Sequence, residues 1–410
     1  MTRRGRTAYT EAVHEPSPLT LLKNADLFDP GPRGVVDILV GGATVLAVEP
    51  GLDASVAAGL VEVHDLEGAR VIPGLVDSHV HVTGGGGEAG FSSRVPPRMV
   101  SELVLAGVTT VVGVLGTDGR TRTMRELVAR TYGLREEGIS AWCWTGSYEV
   151  PVRTLTGSVR DDIVFVEPVI GVGELAISDH RSSQPTLDEL LRVASDVHVA
   201  GLMTNKAGVL HLHLGDGARG LELVEQACER TELPARVFHP THVNRNRALL
   251  KSAASMIANE GRYRGMHVDL TAFPEDDVGD GLSAADALAE LHAARGTCER
   301  VTVSSDGGGC MPKFDGEGRV VAYGVGQSST LFDTLRASEG AHGLALEEVL
   351  PCFTRSIANL LRLPNKGSVE RGRDADLVVL GEQCAVRHVM AMGRWMVRDG
   401  VCVAPGPFES

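Results

Sequence analysis

Eight apolar runs alternate with amphipathic stretches through the middle of the chain. Short apolar runs bounded by turn residues predict buried strands, and longer stretches with apolar residues three and four positions apart predict helices. The helical stretches include TMRELVARTYGLREEG, TLDELLRVASDVHVAG and RALLKSAASMIANEG. The strand-like runs are VIPGLVDSHVHV, VTTVVGVLG, ISAWCWTGSY, VIGVGELAIS, VLHLHLGD, ARVFHPTHV, MHVDLTAF and RVTVSSD.

This alternation predicts an α/β fold in which residues 73–364 form a (β/α)8 TIM-like barrel. A doubly wound open sheet is the alternative, because it has the same alternation. Both ends of the chain carry short β-rich runs separated by Gly, Pro and Asp, such as VVDILVGG and DADLVVLG. We expect residues 1–72 and 365–410 to pair into one small β-sandwich domain, with a loose tail at the N-terminus.

Polar side chains collect where the predicted strands end. In a (β/α)8 barrel the C-terminal ends of the strands meet at one rim, and the active site is built there. We therefore expect residues that are distant in sequence to converge at this rim. They are His79, His81, Tyr148, Glu174, Arg181, His213, His242 and Asp306.

Composition narrows the class of protein. The formal charge of the 410 residues is -14, which argues against non-specific binding to nucleic acid. No apolar run reaches the roughly 18 residues of a membrane span, and the N-terminus lacks the apolar segment of a secretory signal. The seven cysteines are scattered and form no CxxC pair. We expect a cytoplasmic protein without disulfides and without a membrane or nucleic-acid partner.

The HVH of the first strand is the strongest chemical signal. Residues i and i+2 of a strand point to the same face, so His79 and His81 should both face the barrel interior. A lone HxH is more often a pair of ordinary histidines, but His213, His242 and Asp306 end other strands of the same barrel. Imidazoles and a carboxylate suit zinc, with nickel, cobalt or manganese as alternatives.

Five ligands exceed what a single tetrahedral zinc with an open position needs. Two zinc ions would use them all, with His79, His81 and Asp306 on one ion and His213 and His242 on the other. This arrangement needs a bridging ligand. Glu174 is the candidate, because it lies in the apolar run VIGVGELAIS, where a charge needs a reason.

These segments resemble the amidohydrolase superfamily and, within it, the isoaspartyl dipeptidases. The narrow signals are HVHVTGGGGEAG, SDHRS and THVNRN, with further similarity along nearly the whole chain. The resemblance implies a (β/α)8 barrel beside a β module, the five metal ligands given above, and a homo-oligomer, an octamer in this family. It also implies that Tyr148 polarises the substrate carbonyl. The implied substrate contacts are Glu88, which holds the free α-amino group, the glycine-rich loop with Gly86, Thr117, Arg181, Arg245 and the position of Cys310.

Two positions depart from the family pattern. The family bridge is usually a carboxylated lysine, whereas this chain has Glu174 in a strand one residue longer, so either one or two metal ions fit. A serine that holds the α-carboxylate is expected where Cys310 stands, and a thiol is a weak donor. Either the backbone of residues 307–309 holds that carboxylate, or the acyl residue is not aspartate. A nucleophilic Cys310 would need a histidine base, and the histidines are assigned to metal.

The expected activity is hydrolysis of the β-aspartyl isopeptide bond of small dipeptides by a metal-bound hydroxide. Asp306 would move the proton from the attacking water to the leaving amine, and Arg181 and Arg245 would clamp the C-terminal carboxylate. The alternatives are another amidohydrolase, such as an N-acyl-amino-acid deacylase or a cyclic-amide hydrolase, and a non-enzymatic assembly protein related to dihydropyrimidinases. Loss of metal ligands would mark the last.

Overall fold

The computed structural model describes residues 19–53, 59–273, 281–314 and 320–409, with the side chains of 312–314 and 320 excepted. The predicted N-terminal tail lies outside these ranges. The strands are β1 (Leu19–Phe28), β2 (Pro32–Gly41), β3 (Thr44–Glu49), β4 (Val61–Asp65), β5 (Arg70–Pro73), β6 (Leu75–Val80), β7 (Val108–Gly113), β8 (Ser140–Thr145), β9 (Val169–Ile177), β10 (Val209–Leu214), β11 (Phe238–Thr241), β12 (Val268–Thr271), β13 (Val301–Ser304), β14 (Cys310–Phe314), β15 (Val320–Val325), β16 (Leu377–Leu380), β17 (Val386–Ala391), β18 (Arg394–Arg398) and β19 (Val401–Cys402).

The helices lie mostly between the strands of the middle region. They are α1 (Val100–Val104), α2 (Met124–Glu137), α3 (Val159–Phe165), α4 (Leu187–Thr204), α5 (Glu222–Arg230), α6 (Arg247–Ala258), α7 (Ala284–Arg295), α8 (Ser329–Gly340), α9 (Leu346–Val349) and α10 (Arg355–Leu360). The longest of them, α4, begins with a capping box, in which Thr186 and Glu189 satisfy each other's backbone N–H groups. Described helices include none that is both long and apolar enough to cross a membrane.

Eight parallel strands close into a barrel. Strands β6 to β11 form one sheet in chain order, and β12 pairs with β13. The backbone N–H of Val243, just after β11, donates to Asp269 O of β12 at 3.2 Å, and His81 N donates to Gly307 O beyond β13 at 2.8 Å. These contacts close the ring on both sides. The barrel prediction is therefore confirmed and the open-sheet alternative is wrong.

The remaining strands from both ends of the chain form the second module. Its nine-stranded sheet has the order β19-β18-β17-β16-β5-β1-β2-β3, and β4 pairs with β1. The sheet folds back on itself, because Val45 N donates to Arg373 O at 2.9 Å and Ala375 N donates to Ala43 O at 2.8 Å. A small apolar core with Leu22, Ile38 and Met390 lies inside the fold. The joint module from both termini is thus confirmed, while its limits at residues 72 and 365 stay predictions.

A β-bulge in β9 carries the extra residue noted in the sequence. Val172 pairs with Leu210 and Leu175 pairs with Leu212, so two residues of β9 lie opposite one residue of β10. Glu174 is one of the two. A bulge re-aims side chains that strict alternation would place on the other face, and here all of β9 is buried. The bulge therefore explains how the longer strand still presents Glu174 at the site described below.

Candidate metal centre and substrate site

The six predicted metal ligands converge at the C-terminal rim of the barrel. They lie on or just beyond the barrel strands β6, β9, β10, β11 and β13. All but Asp306 are almost completely buried, with His79 fully buried and Glu174 1% exposed. The predicted ligands are His79, His81, Glu174, His213, His242 and Asp306.

Glu174 lies at the centre of the four histidines. Its Oε2 is 2.9 Å from His213 Nδ1, 3.4 Å from His79 Nε2 and 3.6 Å from His242 Nε2. Its Oε1 is 3.5 Å from His81 Nε2. The two carboxylate oxygens therefore face different histidines.

Asp306 closes the other side of the cluster. Its Oδ1 is 3.0 Å from His81 Nε2 and 3.5 Å from His79 Nε2. Both Asp306 and His242 have positive φ, 52° and 63°, which is uncommon outside glycine and is typical of functional sites. A Cβ at Gly309 would lie 2.6 Å from Asp306 Oδ1, so glycine there leaves room for the carboxylate.

Several buried atoms of this cluster lack a hydrogen-bond partner among the described residues. They include His79 Nε2, Glu174 Oε1 and Asp306 Oδ1. Two overlapping sets have donor atoms within 4.8 Å of one another: His79, Glu174 and His242, and His79, His81 and Asp306. Buried polar atoms without partners are costly unless they bind an ion. These imidazole nitrogens and carboxylate oxygens therefore fit a divalent metal such as zinc.

The electrostatics of the cluster also favour a cation. Burial disfavours the charged form of His79, yet Glu174 and Asp306 raise its pKa to about 9. Burial opposes ionisation of Glu174, but His79 and His213 hold its pKa well below the ordinary value. Burial lowers the pKa of His242 to about 3, although the hydrogen bond with Glu174 acts to raise it. The ionised Glu174 thus lies beside a neutral His242, and it raises the proton affinity of His79, a position where a bound cation could replace the proton.

His213 is oriented from its far side by Asp179, a residue that the sequence did not single out. Asp179 Oδ2 is 2.9 Å from His213 Nε2 and 2.7 Å from Arg181 Nη2. Burial opposes ionisation of Asp179, but the hydrogen bonds from His213 and Arg181 hold its pKa well below the usual range. A carboxylate behind a ligating histidine fixes its tautomer and raises its basicity. Asp179 also orients the Arg181 guanidinium, because Arg181 Nε donates a second hydrogen bond to Asp179 Oδ1 at 3.0 Å.

The predicted substrate contacts lie around the mouth above this cluster. The Arg181 guanidinium stacks 5.4 Å above the Tyr148 ring, and its Nη1 is 3.6 Å from Glu88 Oε1. The hydroxyl of Tyr148 is 2.8 Å from His213 Nδ1. Burial and the neighbouring Glu174 raise the pKa of Tyr148 well above its ordinary value, so the phenol keeps its proton as a donor.

Cys310, Gly86, Arg245 and Thr117 complete the predicted set. Cys310 opens β14, and its Cβ would be 3.0 Å from a Cβ at Gly86. Burial and Glu88 raise the pKa of the Cys310 thiol, which keeps it protonated and argues against a nucleophilic role. Arg245 Nη1 lies 3.4 Å from the exposed Asp216, and its buried Nε has no hydrogen-bond partner among the described residues. Thr117 lies in the loop that follows β7.

Arg122 clamps the glycine-rich loop and was not predicted. Its guanidinium is 1% exposed and donates to the carbonyl oxygens of Thr83 (3.2 Å), Gly86 (3.3 Å) and Val95 (2.8 Å). A carbonyl without a partner is costly inside a protein. The clamp therefore fixes the loop that carries Glu88.

We expect Arg122→Lys to loosen this loop. Lysine cannot reproduce a planar fork to three carbonyls, so the free energy of unfolding should fall by about 2–4 kcal/mol. Hydrogen exchange of the peptide 83–95 should speed up, and urea unfolding should show the lower midpoint. The control Arg125→Lys, at an exposed position in the first turn of helix α2, which begins just after Arg122, should change the free energy of unfolding by less than about 0.5 kcal/mol. Equal exchange rates in the two variants would contradict the clamp.

Two further buried histidines were not predicted from the sequence. His211 and His239 are both fully buried below the cluster. The spacing of HLHL in β10 places His211 and His213 on one face by the same argument that joins His79 and His81. That signal was present in the sequence, whereas the pairing of His239 with His211 becomes visible only when β11 lies beside β10.

The sequence matches the amidohydrolase family over residues 70–396. The chain is similar to the beta-aspartyl dipeptidase of the thermophilic keratin-degrading Fervidobacterium islandicum AW-1. Two crystal structures of that protein, one in complex with the beta-Asp-Leu dipeptide, are 41% and 40% identical to the chain with TM-scores of 0.86 and 0.85. Each comparison covers 94% of this chain and 98% of that chain. The allantoinase of Bacillus velezensis is 23% identical over 397 residues, which cover 88% of this chain and 84% of that protein.

Proposed function

The chain belongs to the amidohydrolase superfamily and, within it, to the isoaspartyl dipeptidases, and from that premise we propose that it is a metal-dependent dipeptidase for β-aspartyl dipeptides. The observation that carries the proposal is the position of Glu88, Arg181 and Arg245 at the mouth of a buried cluster of histidines and carboxylates. One carboxylate and two guanidiniums match the two charged ends of a free dipeptide. The structural relative with bound beta-Asp-Leu supports the same substrate class.

We propose two zinc ions per chain, bridged by Glu174. Support comes from the carboxylate geometry, since Oε1 faces His81 while Oε2 faces His213 and His242. His79 belongs to both sets of close donor atoms. When bound, such ions activate water near neutral pH and polarise a carbonyl oxygen.

Asp306 and Tyr148 carry the proton transfer and the carbonyl contact in this proposal. Burial opposes ionisation of Asp306, but His81 and His79 hold its pKa well below the ordinary value, so the group is a carboxylate at neutral pH, the form that a general base requires. Asp306 then returns the proton to the leaving amine. The protonated Tyr148 donates a hydrogen bond to the oxygen on which charge develops.

The two ends of the substrate are assigned to different side chains. Glu88 holds the α-ammonium group, and Arg181 and Arg245 hold the C-terminal carboxylate of the leaving residue. The hydrogen bonds from Arg181 to Asp179 fix its orientation before substrate arrives, which lowers the entropy cost of binding. Thr117, Gly86 and Cys310 line the acyl side, where the backbone of residues 307–309 takes the role of a serine hydroxyl. A cytoplasmic location and a homo-oligomeric, octameric assembly are part of the same proposal.

The test is amine release by the zinc-reconstituted protein from β-Asp-Leu and α-Asp-Leu. We expect kcat/KM for the β-linked peptide to exceed that for the α-linked peptide by about 10²-fold or more, because only the β-linkage places its carbonyl at the metals while both charged ends are held. Product is measured by a ninhydrin or coupled assay for leucine.

Glu88→Gln and N-acetyl-β-Asp-Leu provide the controls. Each removes one partner of the same ion pair, so each alone should lower kcat/KM by about 10–10²-fold, and the two together should cost little more than one. Equal cleavage of the α- and β-peptides, or cleavage of neither with zinc bound, would contradict the proposed substrate.

A further inference from the structure

A chain of hydrogen bonds runs from the metal cluster down through the barrel interior. His79 Nδ1 is 2.8 Å from His211 Nε2, and His211 Nδ1 is 3.0 Å from His239 Nδ1. His239 Nε2 is 3.0 Å from Thr302 Oγ1, which donates to Asp269 Oδ1 at 2.6 Å. All five residues are fully buried. They come from five different barrel strands, β6, β10, β11, β13 and β12.

We propose that three of these residues position the metal ligand His79 by linking it to a buried carboxylate. The three are His211, His239 and Thr302, and the carboxylate is that of Asp269. The proposal rests on the metal site of the proposed function but not on its substrate.

The donor and acceptor of each hydrogen bond follow from the end of the series at the metal cluster. The Nε2 of His79 faces Glu174 and Asp306 and must present a lone pair to bind a metal. Its Nδ1 therefore carries the proton and donates to His211 Nε2. His211 in turn has its proton on Nδ1, and donates to His239 Nδ1.

The Asp269 end of the series requires the same order of donors and acceptors. Three hydroxyls surround the Asp269 carboxylate, with Thr241 at 2.7 Å, Ser304 at 2.5 Å and Thr302 at 2.6 Å. A carboxylate only accepts, so Thr302 donates its proton there and its oxygen accepts from His239. His239 must then be protonated on Nε2 and unprotonated on Nδ1, as the metal end also requires.

The surrounding packing is shaped around this chain. The Trp144 ring stacks on His211 with centroids 5.2 Å apart and planes 12° apart. A Cβ at Gly173, the residue before Glu174, would lie 2.8 Å from the His211 Cβ, so glycine makes room for the imidazole. Two buried imidazoles are costly where apolar residues would fit, unless all their nitrogens are bonded. Here both nitrogens of each ring have partners, which is expected of residues that set the tautomer of a ligand.

The test compares Thr302→Val with Thr110→Val. Both threonines are fully buried on barrel strands, but the Thr110 hydroxyl has no hydrogen-bond partner among the described residues. Zinc affinity is measured without peptide, by competition with a chromophoric chelator. We expect Thr302→Val to weaken the tighter zinc site by about tenfold, and His239→Leu by about 10–10²-fold. Thr110→Val should bind zinc like the unmodified protein.

Imidazole ¹⁵N shifts of the zinc-loaded protein give the second readout. The proposed series of hydrogen bonds requires His79 to be protonated on Nδ1. Thr302→Val should therefore shift the ¹⁵N signals of His79 and His211 while those of His81 stay unchanged. Should His239→Leu not fold, Thr302→Val decides alone. Unmodified zinc affinity and ring shifts in a folded Thr302→Val would overturn the proposal, as would an unmodified protein that binds no zinc. Zinc binding with the expected shifts but without β-aspartyl hydrolysis would support it and refute only the substrate.

Discussion

Asp306→Ala is expected to lower turnover of β-Asp-Leu by about 10³-fold or more. The carboxylate lies 3.0 Å from His81 Nε2 at the rim. In the proposed function it binds metal and also carries a proton between water and the leaving amine. Alanine would remove both the proposed metal ligand and the proposed proton carrier. The measurement is kcat at saturating β-Asp-Leu, together with zinc content by mass spectrometry after dialysis.

Asp306→Asn separates the two roles. The amide keeps the shape and an oxygen ligand but cannot take up a proton, so kcat should stay about 10²-fold or more below that of the unmodified enzyme even where zinc content is restored. The control Asp188→Ala, at an exposed position in the first turn of α4, should leave kcat unchanged. An Asp306→Ala variant that retained a tenth of the turnover would show that Asp306 does not carry the proton.

The barrel could be read from the sequence because its strands are local signals. Each strand is a short apolar run with turn residues at both ends, and parallel strands are buried on both faces, so the runs are nearly continuous. All eight runs became barrel strands, β6 to β13. The hairpin of β14 and β15 was not predicted, although Cys310 begins it, because a rim hairpin lacks the apolar continuity of a buried strand.

The candidate ligands could be predicted as a set, but their mutual arrangement could not. Polar residues at strand ends identify a rim without giving distances across it. Nothing in the sequence shows that Glu174 has one oxygen towards His81 and the other towards His213, since this depends on the bulge in β9. The sequence does contain Asp179, in SDHRS, but its contact with His213 requires two neighbouring strands to be in register.

The residues that support the site without lining it were the hardest to predict. In the sequence, Arg122 looks like an ordinary charged residue before helix α2. Its role in holding the glycine-rich loop becomes clear only from its three carbonyl partners. His239 and Asp269 are polar residues in apolar runs, the pattern that drew attention to Glu174. A charged side chain or an imidazole within a barrel strand therefore indicates a polar partner on a neighbouring strand.

Glu174→Gln is expected to lower kcat for β-Asp-Leu by about 10²–10⁴-fold and to reduce bound zinc from the proposed two ions per chain to one or none. The amide is isosteric, but it carries no charge and only one of its two atoms can accept. The contacts of Oε1 with His81 and of Oε2 with His213 and His242 cannot then both be served. Zinc is counted by mass spectrometry after dialysis, and kcat is measured in the same samples.

The matched control is Glu167→Gln, just before the opposite end of the same strand β9. Glu167 is exposed, with 62% of its side chain accessible, and pairs with Arg135 on the surface. Its replacement should leave both zinc content and kcat unchanged, because an exposed ion pair contributes little. If Glu174→Gln kept two zinc ions, the bridge would be wrong. If it kept one ion and most of its turnover, a single metal would suffice for hydrolysis, and the extra residue in β9 would serve to place one ligand rather than to join two ions.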